Sequence, residues 1–492
     1  MENKVLDSMP LVSVAVSMMA GILLGDVVAL SQTVLMASLA GCLVIALLSW
    51  KMPGLQSAMI CLCFVVLGLL LMQRQKASLA VSWPEGDLNY EAVVLTAPVE
   101  KPKTMAVDIL LTSNQRKLKC YLQKDERSRG LKVGDGLEIQ SRIRENSHWR
   151  KGTFDYHRYL EVHGFTGSTY VASWKWRKAQ VSLDNLSRLQ RTQLSMLRLR
   201  SQLLQRFATQ GAADEAYAVV AAMALGDKTA LTQELKDTYS VTGASHVLAL
   251  SGLHLGIIYM LLSLLIVNRR WRMASQLLIV LCIWAFVLLV GMSVSVVRSA
   301  LMLSVYALLS LGHRDRMSVN TLAFTAIVLL MVNPLSLFDV GFQMSFMAVL
   351  AILLFVPLGE RVLSQEFLMS HRVVRWIWSL VVVSCAAQVG VAPLIAYYFQ
   401  RLSVFFLVTN LVVVPSATLI LWFSLATLVV PSCGLLLFRL VAFQNLVLTW
   451  IAALPDSSIN GLHPTVLQVV MTYIVIGCVY LLIVRLCAGI RR

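Results

Sequence analysis

The sequence predicts a polytopic α-helical membrane protein of about 12 spans, with a small OB-like β-barrel inserted after the third span and displayed outside. Three observations predict it. The 492 residues are 58% hydrophobic and only 14% charged, where ordinary soluble chains are about a quarter charged, and the mean hydropathy is +0.72. Apolar runs near the length of about 20 residues that a helix needs to cross hydrocarbon recur on both sides of one polar stretch. Within that stretch, short alternating segments are separated by turn residues, as strands are.

Residues 11–30, 32–50 and 55–72 are the first three runs. No small-residue cleavage site with a polar sequel follows the first, so it reads as a retained helix with Asp26 near its end, not as a signal peptide. Lys51, Pro53 and Gly54 make a hairpin turn between the second and third. From Trp83 to Trp176 the pattern changes to Tyr90–Ala97, Met105–Thr112, Leu118–Gln123, Leu137–Ile143 and Phe165–Ala172, punctuated by Pro98, Pro102, Asn114, Gly130, Gly134 and Gly136. Five short strands suit an OB-like barrel. Between Leu183 and Phe207, leucines and Met196 recur at helical spacing with Arg188, Arg191, Arg198, Arg200 and Arg206 between them. Such a basic amphipathic helix lies in a membrane interface, or it is a linker packing on the barrel. A short helix follows Ala213, and then nine runs at 246–267, 274–291, 294–311, 318–333, 340–357, 374–398, 403–430, 435–454 and 466–487. The expected regions are 1–75 (membrane helices), 76–178 (soluble barrel), 179–242 (amphipathic segment) and 243–492 (membrane domain).

Charge is unevenly placed. The whole chain carries +16, and from Arg74 to Arg206 there are 24 Lys and Arg against 13 Asp and Glu. A basic soluble module suits an anionic polymer or lipid headgroups, with merely solvated charge as the alternative. For nucleic acid the useful side chains are aromatic faces that stack bases and cations that track phosphates. Lys117, Lys119, Tyr121, Lys124, Arg127, Arg142, Arg144, Trp149 and Tyr156 are the candidates, although aromatics in strands are usually core. Arg269, Arg270 and Arg272, then Arg314 and Arg316, then Arg361, Arg372 and Arg375, then Arg491 and Arg492 occupy alternate loops, Arg401 being the exception. The positive-inside rule then makes both termini cytoplasmic and the basic domain external. Arg74 and Lys76 argue the other way, but long domains cross largely regardless of charge. Of nine cysteines only Cys120 falls in the soluble region, which therefore holds no internal disulfide. Cys61-x-Cys63 reads as packing.

The densest polar intrusion into apolar sequence is Gly243 to Gly256, GASHVLALSGLHLG. An unsatisfied polar group in hydrocarbon costs several kcal/mol, so such residues face a bundle interior or a water-filled cavity. The bland alternative has Ser251 bonding a carbonyl one turn back and the histidines at the membrane surface. Arg298, Asn333, Asp339, Gln343, Gln388, Asn410 and Asn445 punctuate the later runs, and Pro334, Pro357, Pro393 and Pro415 are expected to break or kink helices. Arg298 needs a carboxylate, carbonyls or water beside it, and Asp339 is one partner on offer. The reading is a polar, partly irregular conduit, with His246, Ser251, Gly252, His254, Arg298, Asp339, Gln343, Gln388 and Asn410 as its candidates. Gly226-Asp227-Lys228-Thr229 misses the phosphate-loop spacing. No metal site, cofactor or catalytic residue is expected.

Several stretches resemble the ComEC family of competence proteins. ALGDKTALTQELKDTYSVTGASHVLALSGLHLGII (224–258) is similar to the family's signature segment and GMSVSVVRSALML (291–303) to its Arg-bearing helix. NPLSLFDVGFQMSFMAVLAI (333–352) and AAQVGVAPLIAYYFQRLSVFFLVTNLVVVP (386–415) resemble two further blocks, and GTFDYHRYLEVHGFTGSTYV (152–171) the end of the family's OB-like external domain. The resemblance implies a multi-pass inner-membrane channel that imports single-stranded DNA during natural transformation. It implies contact with membrane lipid, and as partners a periplasmic DNA receptor and a cytoplasmic helicase-type ATPase or strand-binding protein, because the chain has no nucleotide loop of its own. Many members continue into a metallo-β-lactamase-like domain. Here the chain ends at Arg492, and its eight histidines form no His-x-His-x-Asp-His cluster, so nuclease activity is not expected of it. Two other classes compete: an intramembrane serine protease, prompted by Ser251 and His254 but disfavoured if they share one helix, and a small-solute secondary transporter, for which no internal repeat is visible.

Overall fold

The computed structural model describes residues 10–145, 150–151, 154–209, 214–266, 271–311 and 318–489. The chain divides into two compact units, Met1–Ser201 with Arg316–Phe342, and Gln202–Asp315 with Gln343–Arg492. All twelve expected runs contain a helix. Among the described residues eight helices are long and apolar enough to cross a membrane, while Gln32–Leu48, Gly252–Ile266, Val294–Leu309 and Val319–Val332 are shorter. Two of these helix ends have local causes. Ser251-Gly252 delays the start of one helix until Gly252, and Asn333-Pro334 ends another at Val332, because the residue before a proline is pushed out of the helical region. By contrast Pro357, Pro393 and Pro415 sit inside continuous helices, so the expected breaks do not occur there. Membrane-type helices tolerate proline where neighbours re-satisfy the freed carbonyls.

In the first unit, helices Pro10–Val27 and Pro53–Leu79 pack closely. Glycine permits it: a Cβ on Gly21 would press into the backbone of Val65, and one on Gly68 into the Met18 carbonyl. Gly21 and Gly25 form the small-xxx-small spacing that lets backbones approach where hydrophobic burial gives no drive between helices. Helix Val319–Val332 packs on the first helix, and the Leu11 amide donates to Asn320 Oδ1 at 2.9 Å.

The polar stretch folds as an eight-stranded sheet. Its strands are β1 (Leu88–Val94), β2 (Val99–Glu100), β3 (Thr104–Leu111), β4 (Lys117–Gln123), β5 (Gly136–Ser141), β6 (Ile143–Arg144), and then, after a separate ribbon of β7 (Arg150–Lys151) with β8 (Phe154–Asp155), β9 (Phe165–Val171) and β10 (Trp176–Lys178). The order is β10-β5-β1-β3-β4-β9-β6, with β2 on β3; β4 and β9 run parallel and the other pairs antiparallel. The five expected strands match β1, β3, β4, β5 and β9 within three residues. The short strands were not foreseen, because two or three residues carry no periodicity. Ala92, Val107, Ile109, Leu118, Cys120, Leu122, Leu137 and Ile139 form the core, and burial pushes the Cys120 thiol pKa up to about 12. Ser141 Oγ, at the end of β5, meets Thr169 Oγ1 of β9 at 2.7 Å, so the sheet curls back on itself. Helix Arg188–Ala208 lays Leu194, with the preceding Leu186, over Val93 and Leu110 on the outer side of the sheet. Its closing residues Leu204 and Phe207 belong to the core of the second unit.

That second core is built from helices Asp214–Leu225, Gln233–Val241, Phe406–Val429 and Gly434–Ala452. Another lies among Gly252–Ile266, Arg272–Leu289 and Val294–Leu311. Strands β11 (Arg401–Ser403) and β12 (Ser458–Asn460) pair as a small ribbon.

Candidate functional site

The Gly243–Gly256 stretch is broken, as its polar content demands. Gly243 adopts φ +80° and packs so tightly that a Cβ would stand 3.0 Å from Ser403 Cβ. A four-residue helix, Ser245–Leu248, is followed by an extended turn, and the next helix starts at Gly252. His254 is fully buried and turns back on that turn. Its Nδ1 lies 3.3 Å from the Ser251 amide and 3.1 Å from Ser251 Oγ. An amide can only donate, so Nδ1 is the acceptor and the neutral ring carries its proton on Nε2. The two side chains therefore do meet, whereas the sequence, read as one helix through both, argued against convergent nucleophile–base geometry. They meet because Ser251 precedes the helix and His254 satisfies one of the amides left over at a helix start.

Gly252 faces Ser299: an added Cβ would be 3.2 Å from Ser299 Oγ, on the helix that carries Arg298. Arg298 is 3% exposed. His246 is exposed, with Nδ1 3.1 Å from the Gly243 carbonyl. Gln343 Oε1 accepts from Tyr398 OH at 2.8 Å, tying Val340–Gly359 to Arg372–Phe399. Gln388 is half-buried on the latter helix. Asn410 Oδ1, Thr409 Oγ1 and Ser403 Oγ are buried with no hydrogen-bond partner among the described residues. Asp339 belongs to the other unit, where its Oδ1 accepts from the Gly341 amide at 3.1 Å and caps the following helix. Sequence reasoning singled out Asn445 but missed the buried network it belongs to in the second core. Tyr239 OH donates to Asn445 Oδ1 at 2.8 Å, Gln444 Nε2 donates to Tyr239 OH at 3.0 Å, and Ser416 Oγ donates to Gln444 Oε1 at 2.6 Å. The adjacent amides Gln444-Asn445 in an apolar run were the available signal.

The second candidate is the outer face of the curled sheet. Along β4, Leu118, Cys120 and Leu122 point inward, so Lys117, Lys119, Tyr121 and Gln123 share the outer side. Register carries that face across β9 to β6. Lys119 pairs Ser168, which pairs Arg144, and Tyr121 pairs Tyr170. A basic row thus runs beside a tyrosine row. Lys119 Nζ is 2.5 Å from Asp108 Oδ1. Lys117 Nζ lies 4.1 Å over the Phe165 ring, and burial pulls its pKa below the usual lysine range. Tyr121 OH meets Tyr156 OH at 3.0 Å. The stack continues along one side of helix Tyr156–Val162, with Tyr156 on Tyr159 at 6.0 Å and Tyr159 on His163 at 4.2 Å. Arg142 and Arg144 are exposed. Lys124 pairs Glu100 at 2.9 Å, and Arg127 donates to the Ser173 and Trp176 carbonyls over the Trp176 ring, so these two brace the domain instead of joining the face. Trp149 lies outside the described residues. The sequence reading missed Tyr159, His163 and Tyr170; the i, i+3, i+7 spacing of Tyr156, Tyr159 and His163 would have revealed the first two.

Helix Tyr156–Val162 also fixes the sheet to the membrane helices of its own unit. Arg158 pairs with Asp26 at the end of the first helix and stacks over Phe338 at 4.1 Å. Lys76 of the third helix reaches the same carboxylate at 2.6 Å, and Asn333 Nδ2 donates to the Val162 carbonyl at 3.2 Å.

A family model described as "Competence protein" matches residues 223–486. ComE operon protein 3 of Bacillus subtilis (strain 168) is 27% identical over 380 residues, which cover 75% of this chain and 45% of that protein. An uncharacterized protein of Aquifex aeolicus (strain VF5) is 32% identical over 201 residues, covering 41% of this chain and 45% of the relative. The chain thus matches less than half the length of each of these relatives. No solved structure matches it.

Proposed function

Since this chain belongs to the competence protein family, we propose that it takes part in DNA uptake, as an inner-membrane channel through which one strand enters the cell. In this reading the curled sheet is an OB-like external domain that receives the strand, and about twelve helices, four of them short, form the membrane domain. Membrane lipid surrounds it, a periplasmic receptor delivers DNA, and a cytoplasmic helicase-type ATPase or strand-binding protein pulls.

The observation that carries the proposal is the outer sheet face, where Lys119 and Arg144 stand in one row and Tyr121 and Tyr170 in the next. Phosphates and bases of one flexible strand need that pairing of cations with ring faces. The sidedness of the first unit supports the topology. Asp26, Asn333 and Phe338 contact helix Tyr156–Val162 of the sheet domain, and Leu11 and Asn320 meet at the other ends of their helices. Loop 333–338 touching the sheet domain agrees with the alternation of charged loops, which is what supports an external domain in this reading.

Equilibrium binding of single-stranded DNA to the full chain in neutral-lipid nanodiscs tests the proposal. Binding is expected at low salt and should weaken steeply as salt rises, because phosphate contacts release counterions. Absence of binding at low salt rejects it. The 3.1 Å contact of Ser251 Oγ with His254 Nδ1 favours a second reading, a serine hydrolase. Labelling of Ser251 by a fluorophosphonate would support that reading, and the channel account expects none.

A further inference from the structure

We infer that Tyr170, with Tyr121 beside it, makes the outer sheet face selective for unpaired bases, so that the domain discriminates a single strand from a duplex. This deepens the proposed DNA reading and rests on it. Tyr170 is the penultimate residue of β9, with 59% of its surface exposed. Its strand neighbours Thr169 and Val171 are buried, so the alternation is in register and the ring faces outward by design of the strand. A tyrosine placed so adds little to the core, and packing does not account for it. Across the parallel β4–β9 pair Tyr121 lies directly opposite, a strand spacing of about 4.8 Å away. The adjacent row, two residues along, is Lys119, Ser168 and Arg144. A base laid on the tyrosines leaves its phosphate near the exposed Arg144 and near Lys119, whose charge Asp108 partly offsets.

A paired base offers no free face to such a ring. In a duplex both faces are occupied by neighbours, and exposing one requires unpairing and unstacking. The cations, however, attract either form. The tyrosine row therefore supplies the difference between strand types, and the basic row the affinity they share.

The test uses the full chain in phosphatidylcholine nanodiscs at low salt and three probes of equal length: oligo-dT, an abasic oligonucleotide and a duplex. Fluorescence anisotropy reads each affinity. Wild type should prefer oligo-dT, and Tyr170→Ala should lose about tenfold on that probe alone, the size of one base stack. Tyr170→Trp should retain the preference, and because the ring is exposed neither change empties the core. Equal loss on all three probes, or no loss on oligo-dT, overturns the inference. If wild type binds all three alike in a salt-sensitive way, the electrostatic DNA reading stands and the selectivity falls. If wild type binds none, both fall.

Discussion

A guanidinium that is 3% exposed in an apolar helix bundle is among the costliest placements in the chain, and Arg298 occupies it. Its fixed charge attracts a phosphate backbone most strongly where salt screens least, away from bulk water. Arg298→Leu, His254→Leu and Asp339→Leu are each expected to leave the protein inserted, judged by its level in membrane fractions, while blocking uptake of transforming DNA. If the charges of Arg298 and Asp339 served only to offset one another, the double Leu variant would recover what either single variant loses; the channel account expects no recovery. His163 gives a different prediction in the sheet domain. Burial lowers its pKa below the ordinary 6.5, outweighing the Tyr159 carbonyl, Asp339 and Asp108, which raise it, while Lys117 adds to the lowering. The unfolded state then binds a proton first, so stability is present above pH about 6.5 and is lost as pH falls through the folded value. Urea melts of the chain between pH 7.5 and 5 should show this loss, and His163→Gln should flatten it.

At the scale of elements, helix packing in the first unit depends on absent side chains. Gly21 and Gly68 touch the facing backbone, so Gly21→Leu forces the two helices apart at a cost of about 1–3 kcal/mol. Reduced resistance to unfolding in dodecyl maltoside would reveal it, and an unchanged midpoint would contradict the packing. The strands show what was legible in sequence. Alternation along Lys117–Gln123 fixed both the core side and the basic side, because a period of two leaves no other solution. Lys119, Tyr121 and Arg144 were candidates as basic and aromatic residue types, but their meeting on one face depends on β6 and β9 pairing, a long-range register that no local pattern encodes. Tyr170 went unnoticed because an exposed ring and a buried one look alike in alternating sequence. Lys124 and Arg127, like Lys119 beside Asp108, are held by partners within the domain, and composition does not distinguish a cation braced by Glu100 or by carbonyls from one awaiting a ligand. In the bundle, Ser251 and His254 were placed on one helix from apolar periodicity, and the break at Gly252 reverses the geometric conclusion drawn from it.

At the scale of the whole molecule, we propose binding and passage for this chain, and no metal-dependent nuclease step is expected of it. Among the described residues no three His, Cys, Asp or Glu gather where a metal ion would be held. Purified chain should leave both strands of labelled DNA intact with or without magnesium, manganese or zinc, and metal-dependent cleavage abolished by a substitution within these residues would refute that. The most direct test of the central claim follows the DNA itself. In cells deleted for this chain, labelled transforming DNA should still reach the cell surface but remain outside the cytoplasmic membrane, and the wild-type gene, unlike its Arg298→Leu variant, should restore a labelled strand to the cytoplasm. Normal cytoplasmic arrival of DNA in the deleted cells would contradict the account.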